Sequence, residues 1–331
     1  MRASAIVAGF VLAFSLTVTQ DNARAASASA VEAYPVRPVR LILAAGPGGA
    51  PDVIARLLGN KLSEAWGQSI VVDNRPGATG LIAVEMLANS APDGHTLGLF
   101  TMTNLIAMLM YQKYMLATEL GAVTLVGTTP FAIVVNASTP AKNIAEFIEY
   151  AKARPGELRY GSTGMWGSLH MCMEKFNSIN GLKMTHVPYK SAVPGMTDLI
   201  AGEIHVFCPA VPMLPPYLKS GKVRALGVTY LEPTKLLSDV PPVSDTVPGF
   251  ALYGWYGMHV PRNTPPAIVR KINAEVVKAL KDPKLAKIML AAGAEAVGST
   301  PEEYTAWLRK DTDHWTKLLK QSGAKLGAPQ Q

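Results

Sequence analysis

From residue 39 onward the chain alternates short apolar runs with stretches of helical periodicity, and this alternation restricts the fold more than any single motif. Residues 39–44 read as a buried strand. Residues 51–66 follow as a helix, with Val53, Ile54, Leu57, Leu58 and Leu62 on its inner face. A strand at 70–72, a helix at 82–91 and a strand at 96–100 complete a β-α-β-α-β unit, the order of a mainly parallel sheet covered by helices. A second run starts at 132–135. It continues with a helix at 143–153, strands at 159–161, 185–188, 205–208 and 225–229, and helices at 167–179 and 195–201. That makes a second α/β unit. Pro233, Pro241, Pro242 and Pro248 then mark a return connection.

The C-terminal part is helical, with clear stops and starts. Thr264-Pro265 and Asp282-Pro283 each place a capping side chain before a proline at a first helical position. Thr300 and Glu303 form a capping box, and Gly293 and Gly323 stand where C-terminal caps belong.

The first residues predict the compartment. Arg2, the apolar stretch 5–18 and Ala23-Arg24-Ala25 follow the order of a secretory signal peptide cleaved near Ala25, so residues 1–25 are set apart. The apolar core is too short for a membrane span, which takes about 20 residues. The remaining residues suffice for two modest domains. Hydrophobic residues at 49% and charged residues at 17% describe a globular chain. The net charge of +7 comes from scattered Lys and Arg, with no basic run or aromatic-interleaved stripe. This pattern argues against nucleic-acid binding and fits a general pull on anionic solutes. Cys172 and Cys208 read as two small buried hydrophobes, with a disulfide as the alternative in an oxidising compartment. Neither has His or Cys neighbours at ligand spacing, so no metal site is expected.

In open α/β sheets ligands bind beyond the carboxyl ends of the strands. The first such junction is Ala45-Gly46-Pro47-Gly48-Gly49-Ala50-Pro51-Asp52. Its glycines let backbone approach a ligand, and the helix that begins there offers free N–H groups to an anion. Pro51 stands where the third glycine of a dinucleotide fingerprint belongs, so a nucleotide cofactor is not expected. The second junction runs from Tyr160 to Ser168. Ser162, Thr163, Gly164 and Ser168 supply hydroxyls and backbone beside a helix start, and Trp166 can form a wall. Neither serine has the glycines of a nucleophile elbow, although His170 lies close enough in sequence to suggest a serine–histidine pair. The third junction offers Tyr189 and Lys190, the one to stack or hydrogen-bond and the other to face an anion. The fourth, Cys208-Pro209-Ala210, is almost without polar handles.

Taken in order, these segments resemble the solute receptors of tripartite tricarboxylate transporters, the Bug receptors. The resemblance rests on Tyr34-Pro35, Gly48-Gly49-x-x-Asp52, Asp73-Asn74-Arg75-Pro76-Gly77-Ala78, Ala91-Pro92-Asp93-Gly94-His95-Thr96-Leu97, Tyr160-Gly161-Ser162, Val187-Pro188-Tyr189-Lys190, Ser220-Gly221-Lys222-Val223-Arg224 and Thr300-Pro301-Glu302-Glu303. It implies a type II periplasmic-binding-protein fold: two α/β lobes joined by crossing strands, with a ligand cleft between them. Residues 34–131 and 250–331 would form one lobe and 132–249 the other. It further implies a periplasmic monomer that binds a small organic acid, an aromatic acid or a dicarboxylate among the candidates, without chemistry or cofactor and delivers it to integral-membrane transporter subunits. Gly48–Asp52 and Ser162–Ser168 would pinch a carboxylate. Family members usually carry an acidic residue and a serine where this chain has Cys208-Pro209-Ala210, which favours a plain or aromatic carboxylate over an amino acid. The alternatives are an exported enzyme on the same scaffold, using Ser162 or Ser168 with His170, and a ligand sensor for a signalling kinase.

Overall fold

The computed structural model describes residues 32–112 and 116–321. The leader, its cleavage position near Ala25 and the cap expected at Gly323 lie outside them. The first run comprises β1 (Val39–Leu43), α1 (Ala50–Trp66), β2 (Ile70–Asn74), α2 (Leu81–Ala88), β3 (Thr96–Thr101) and α3 (Met102–Tyr111). β1 pairs in parallel with both β2 and β3. After α4 (Leu116–Glu119), β4 (Leu120–Thr129) leads out of this unit. The second run is β5 (Ala132–Asn136), α5 (Ile144–Lys152), β6 (Arg159–Ser162), α6 (Ser168–Asn180), β7 (Thr185–Pro188), α7 (Ala192–Ala201), β8 (Val206–Phe207), α8 (Pro215–Lys219) and β9 (Val223–Val228). The chain returns through β10 (Gly254–Pro261) and finishes with α9 (Pro266–Leu280), α10 (Pro283–Ala291), β11 (Glu295–Ala296) and α11 (Pro301–Gln321).

Two sheets result, a six-stranded one ordered β11-β4-β10-β3-β1-β2 and a five-stranded one ordered β7-β6-β8-β5-β9. β10 enters the first sheet antiparallel, between β3 and β4. The chain crosses between sheets twice, from β4 to β5 and from β9 to β10, and the fully buried Thr229 ties the two crossings together. Its hydroxyl accepts from the Phe131 amide (3.1 Å) and donates to the Leu252 carbonyl (2.7 Å), while its own amide donates to the Phe131 carbonyl (2.9 Å). Gly257 in β10 is required by packing, because a Cβ there would lie 1.7 Å from the Tyr304 hydroxyl of α11.

α11 caps the first sheet and also reaches the second unit. Trp315, Leu318 and Leu319 join an apolar cluster that runs from α3 through the crossings to α6. Asp311 of α11 accepts from the Trp255 indole N–H (2.9 Å), and Lys175 of α6 donates to the Ala251 carbonyl. Burial holds the Asp311 carboxyl up at about 6 and the Lys175 amine down at about 8.

The helix ends follow the capping logic with one exception. Asp282 accepts from the Lys284 amide, and Thr300 and Glu303 complete their reciprocal box. Thr264 instead turns its hydroxyl back to the Pro261 carbonyl (2.8 Å), and its helix begins later, at Pro266. The cysteines also differ from the sequence reading. Cys172 and Cys208 are joined in a disulfide (2.04 Å), both without solvent exposure. Folding brings the end of a core strand beside α6, a proximity that a separation of 36 residues conceals.

Candidate ligand-binding cleft

Three helices begin at one place between the sheets. α1 follows β1, α3 follows β3 and α6 follows β6. Pro51, Thr101 to Thr103, and Ser168 from their first turns line adjoining cavities. Cavities of ≈ 210 and ≈ 250 Å³ share Thr103 and Ser168 in their walls, and a third, of ≈ 240 Å³, shares Thr79 with the first and Pro51 with the second. Among the described residues, no charged side chain lines any of the three. The first turn of a helix leaves backbone N–H groups without intrahelical partners and carries the positive end of the macrodipole. A neutral cavity fed by three such ends is therefore electrostatically suited to an anion.

Each end is held by local chemistry. At α1, the buried Asp52 carboxylate accepts from the Gly48 amide (3.0 Å), from Arg56 (3.0 Å) and from Asn74 (2.9 Å), and Asn74 also holds the Ala45 carbonyl (3.0 Å). The Arg56 contact, helped by the Gly48 and Asn74 bonds, holds this carboxyl down at about 2 against the cost of burial. Asp52 thus braces the loop from within. At α3, Asn104 Oδ1 accepts from the amide (2.8 Å) and hydroxyl (3.0 Å) of Thr101, and its Nδ2 donates to the Thr79 carbonyl (2.8 Å). The turn at Thr79 packs so closely that a Cβ on Gly80, whose φ is +95°, would lie 2.1 Å from Asn104 Nδ2.

At α6, the fully buried Ser162 hydroxyl accepts from the Gly164 amide (3.1 Å) and lies 2.6 Å from His186 Nε2. His170 accepts from the Trp166 amide (3.3 Å) and packs edge-on against His186, ring centres 4.4 Å apart. Burial, with a smaller contribution from His186, holds His170 down at about 4, so it is a neutral acceptor near pH 7. Three non-glycine residues among those described have left-handed backbone: Thr79 (φ 51°), Gln112 (φ 51°) and Trp166 (φ 64°). Thr79 and Trp166 line the first cavity from opposite sheets, and Gln112 follows Tyr111, which also lines it. Strain of this kind, roughly 1–3 kcal/mol per residue, concentrates at functional sites.

The model of the tripartite tricarboxylate transporter family receptor matches residues 54–324. The chain belongs to this family. The receptor's fold is the two-lobed periplasmic-binding one, shared with members of known structure. A protein from R. palustris, Rpa4515, solved with adipate, is 32% identical with a TM-score of 0.73, covering 88% of this chain and 98% of that one. MatC from Rhodopseudomonas palustris, solved with bound malate, is 27% identical with a TM-score of 0.70, covering 86% and 100%. Among curated proteins, BugT of Bordetella pertussis is 29% identical over 89% of this chain and 92% of its own length. No described helix of the receptor is long and apolar enough to cross a membrane.

The sequence-predicted site residues of the receptor are only partly gathered in the cleft. Pro51, Thr163 and Ser168 line its cavities. Gly48 and Gly49 sit on the exposed loop leading to α1, with Ala50 half-buried behind them. Ser162, Gly164 and His170 form the brace beneath the α6 loop. The Ser162 hydroxyl is paired with His186, where the sequence had suggested His170. Tyr189 donates to Asp198 (2.8 Å) and Lys190 is exposed, and neither lines the three cavities. Cys208 is taken up in the disulfide. The Pro209 carbonyl accepts from the Ala132 amide (3.0 Å), leaving Ala210 to line the second cavity. Sequence reasoning missed Thr79, Thr101 and Thr103, the α3 face beyond them, and Thr129, Phe131 and Trp255 of the crossings. One signal was present: Thr101 directly ends a strand, three residues before Asn104.

Proposed function

We propose that this receptor captures a small organic carboxylate in the periplasm and hands it unchanged to the membrane subunits of a tripartite transporter. The observation that carries this reading is the convergence of three helix starts on cavities that, among the described residues, have no charged side chain in their walls. One carboxylate at a helix end gains about 0.3–1 kcal/mol, up to about 2 when partly buried. Each charge-assisted hydrogen bond contributes roughly 1.5–3 kcal/mol net. Three or four such bonds, less the cost of ordering, reach micromolar binding, about −8 kcal/mol. The donors we assign are the backbone amides of Ala50, Asp52 and Thr103 and the hydroxyls of Thr103, Thr163 and Ser168. The adipate and malate complexes of the two Rhodopseudomonas relatives support a carboxylate as the ligand. We take residues 34–131 with 250–331 as one lobe and 132–249 as the other, closing about the crossings that Thr229 ties.

The test is a thermal-shift screen of the mature protein over mono-, di- and aromatic carboxylates, followed by calorimetry and by NMR of the recovered ligand. A ligand at a hundredfold its Kd adds about 2.7 kcal/mol of stability, which for a protein of this size is a rise of roughly 5–10 °C. Absence of any shift would remove the receptor reading, and turnover of the ligand would replace it with an enzyme. The buried Ser162 and its half-buried partner His186 line none of the cleft cavities, which favours bracing over catalysis.

A further inference from the structure

The first cavity has a direction. It begins at Thr103, in the first turn of α3, and runs beside Ile106, Ala107 and Met110 to Tyr111, the last residue of that helix. Eight residues separate Thr103 from Tyr111, about 12 Å of helix. The opposite wall is Met165 and Trp166 from the other lobe. Charge preference therefore reverses along the cavity: the Thr103 end lies at the positive end of the α3 dipole and the Tyr111 end at its negative end. The walls between are aliphatic and aromatic. Among the described residues, the polar side chain that lines the far end is the Tyr111 phenol, one donor against the roughly four lone-pair sites that a carboxylate presents. Met165, at the mouth, leaves a large apolar side chain 61% exposed. Single exposed hydrophobes are ordinary, but this one borders a cavity with left-handed backbone at Thr79 and Trp166 in its walls.

We infer that the preferred ligand is an amphipathic monocarboxylic acid, its carboxylate at the Thr103–Ser168 end and a hydrocarbon or aryl body laid along α3 and covered by Met165 and Trp166. The inference rests on the receptor reading above and narrows it. A second carboxylate would be desolvated among apolar side chains at the negative end of a helix, so diacids of equal length are disfavoured. Because both lobes touch the hydrocarbon body, its length also sets how firmly the lobes close.

Calorimetry on the mature, disulfide-intact protein with two matched pairs tests this: hexanoate against adipate, and 4-methylbenzoate against terephthalate. The monoacid of each pair is expected to bind at least about tenfold more tightly. From butyrate to hexanoate each buried methylene should add about fourfold, the equivalent of ~0.8 kcal/mol. Trp166→Gly keeps the left-handed backbone and removes the wall, so hexanoate should weaken while propionate changes little. Met165→Arg, an exposed rim substitution that the fold tolerates, should narrow or invert the hexanoate–adipate preference by giving a distal carboxylate a partner. Diacids binding as tightly as monoacids, or hexanoate indifferent to Trp166→Gly, would overturn the inference and leave carboxylate capture standing. Failure of every mono- and dicarboxylate would bring down the receptor reading itself, which is a separate result.

Discussion

At the scale of single residues, the cleft depends on buried side chains that spend their hydrogen bonds on bracing its walls. Asn104 holds both the cap of α3 and the carbonyl of Thr79, so Asn104→Ala should cost about 1 kcal/mol of stability through the lost cap. It should also weaken ligand binding by freeing the Thr79 turn, as urea denaturation and calorimetry on one variant would show. Unchanged affinity would mean that Thr79 only borders the cavity. Ser162→Ala acts differently. It leaves the Gly164 amide and His186 without their buried partner, a loss of about 1–3 kcal/mol, and its effect on affinity follows from a loosened loop. A stability change below a few tenths of a kcal/mol would contradict the brace. Part of this was legible in the sequence. Ser168 and Pro51 were found because they open helices directly after strands. Ser162 was chosen by the same rule, but its burial depends on His186, 24 residues away, which no local pattern reveals.

At the scale of elements, the sequence located what is locally periodic and lost what is not. β1, β7 and α1 are nearly where the apolar pattern places them. α3, β4 and β10, which build the cleft wall and both crossings, were not read as elements at all. α3 is apolar on all sides, buried from Asn104 to Met110, and so has no polar face to give it a period. β10 is buried along its whole length and carries Gly254 and Gly257, which weaken any strand signal until Tyr304 is seen filling the space. The disulfide belongs to this scale too. It ties α6, whose first turn enters the cleft, to the segment before Ala210, which lines it. Closing a loop of 36 residues is worth about 3–4 kcal/mol in the chain-entropy model. The double variant Cys172→Ala, Cys208→Ala should therefore lower the urea midpoint by that equivalent; an unchanged midpoint would show that packing alone holds α6 in place.

At the scale of the whole molecule, the buried histidines set an acid limit. Burial holds His170 and His314 down at about 4 and His259 at about 3, against about 6.5 in an unfolded chain. Above pH 6.5 these sites are neutral in both states and contribute no slope. Below it the unfolded chain takes up protons that the native protein refuses, so stability falls as pH drops from about 6.5 toward 4. His170 alone accounts for roughly 3 kcal/mol over that window. Asp311, held up at about 6, works in the opposite sense, gaining its proton first in the native state. One carboxyl does not offset three histidines. Urea midpoints measured from pH 7.5 to 4.5 should decline; a flat or rising series would contradict the burial of these rings.

The absence of charged side chains from the cleft, among the described residues, has a further consequence, for how the protein behaves in a compartment whose salinity follows the surroundings. A site that holds its anion by an arginine clamp has an affinity set partly by the ionic atmosphere. In the site we propose, the attraction would come from amide dipoles and hydroxyls within a few ångströms of the ligand. That distance is well inside the screening length of about 10 Å at 0.1 M salt. Dilute and brackish media should therefore leave the dissociation constant within about threefold, while the net charge of +7 makes only the rate of capture sensitive to salt. Across dilute and brackish media, the capture we propose would keep the same sensitivity to its ligand.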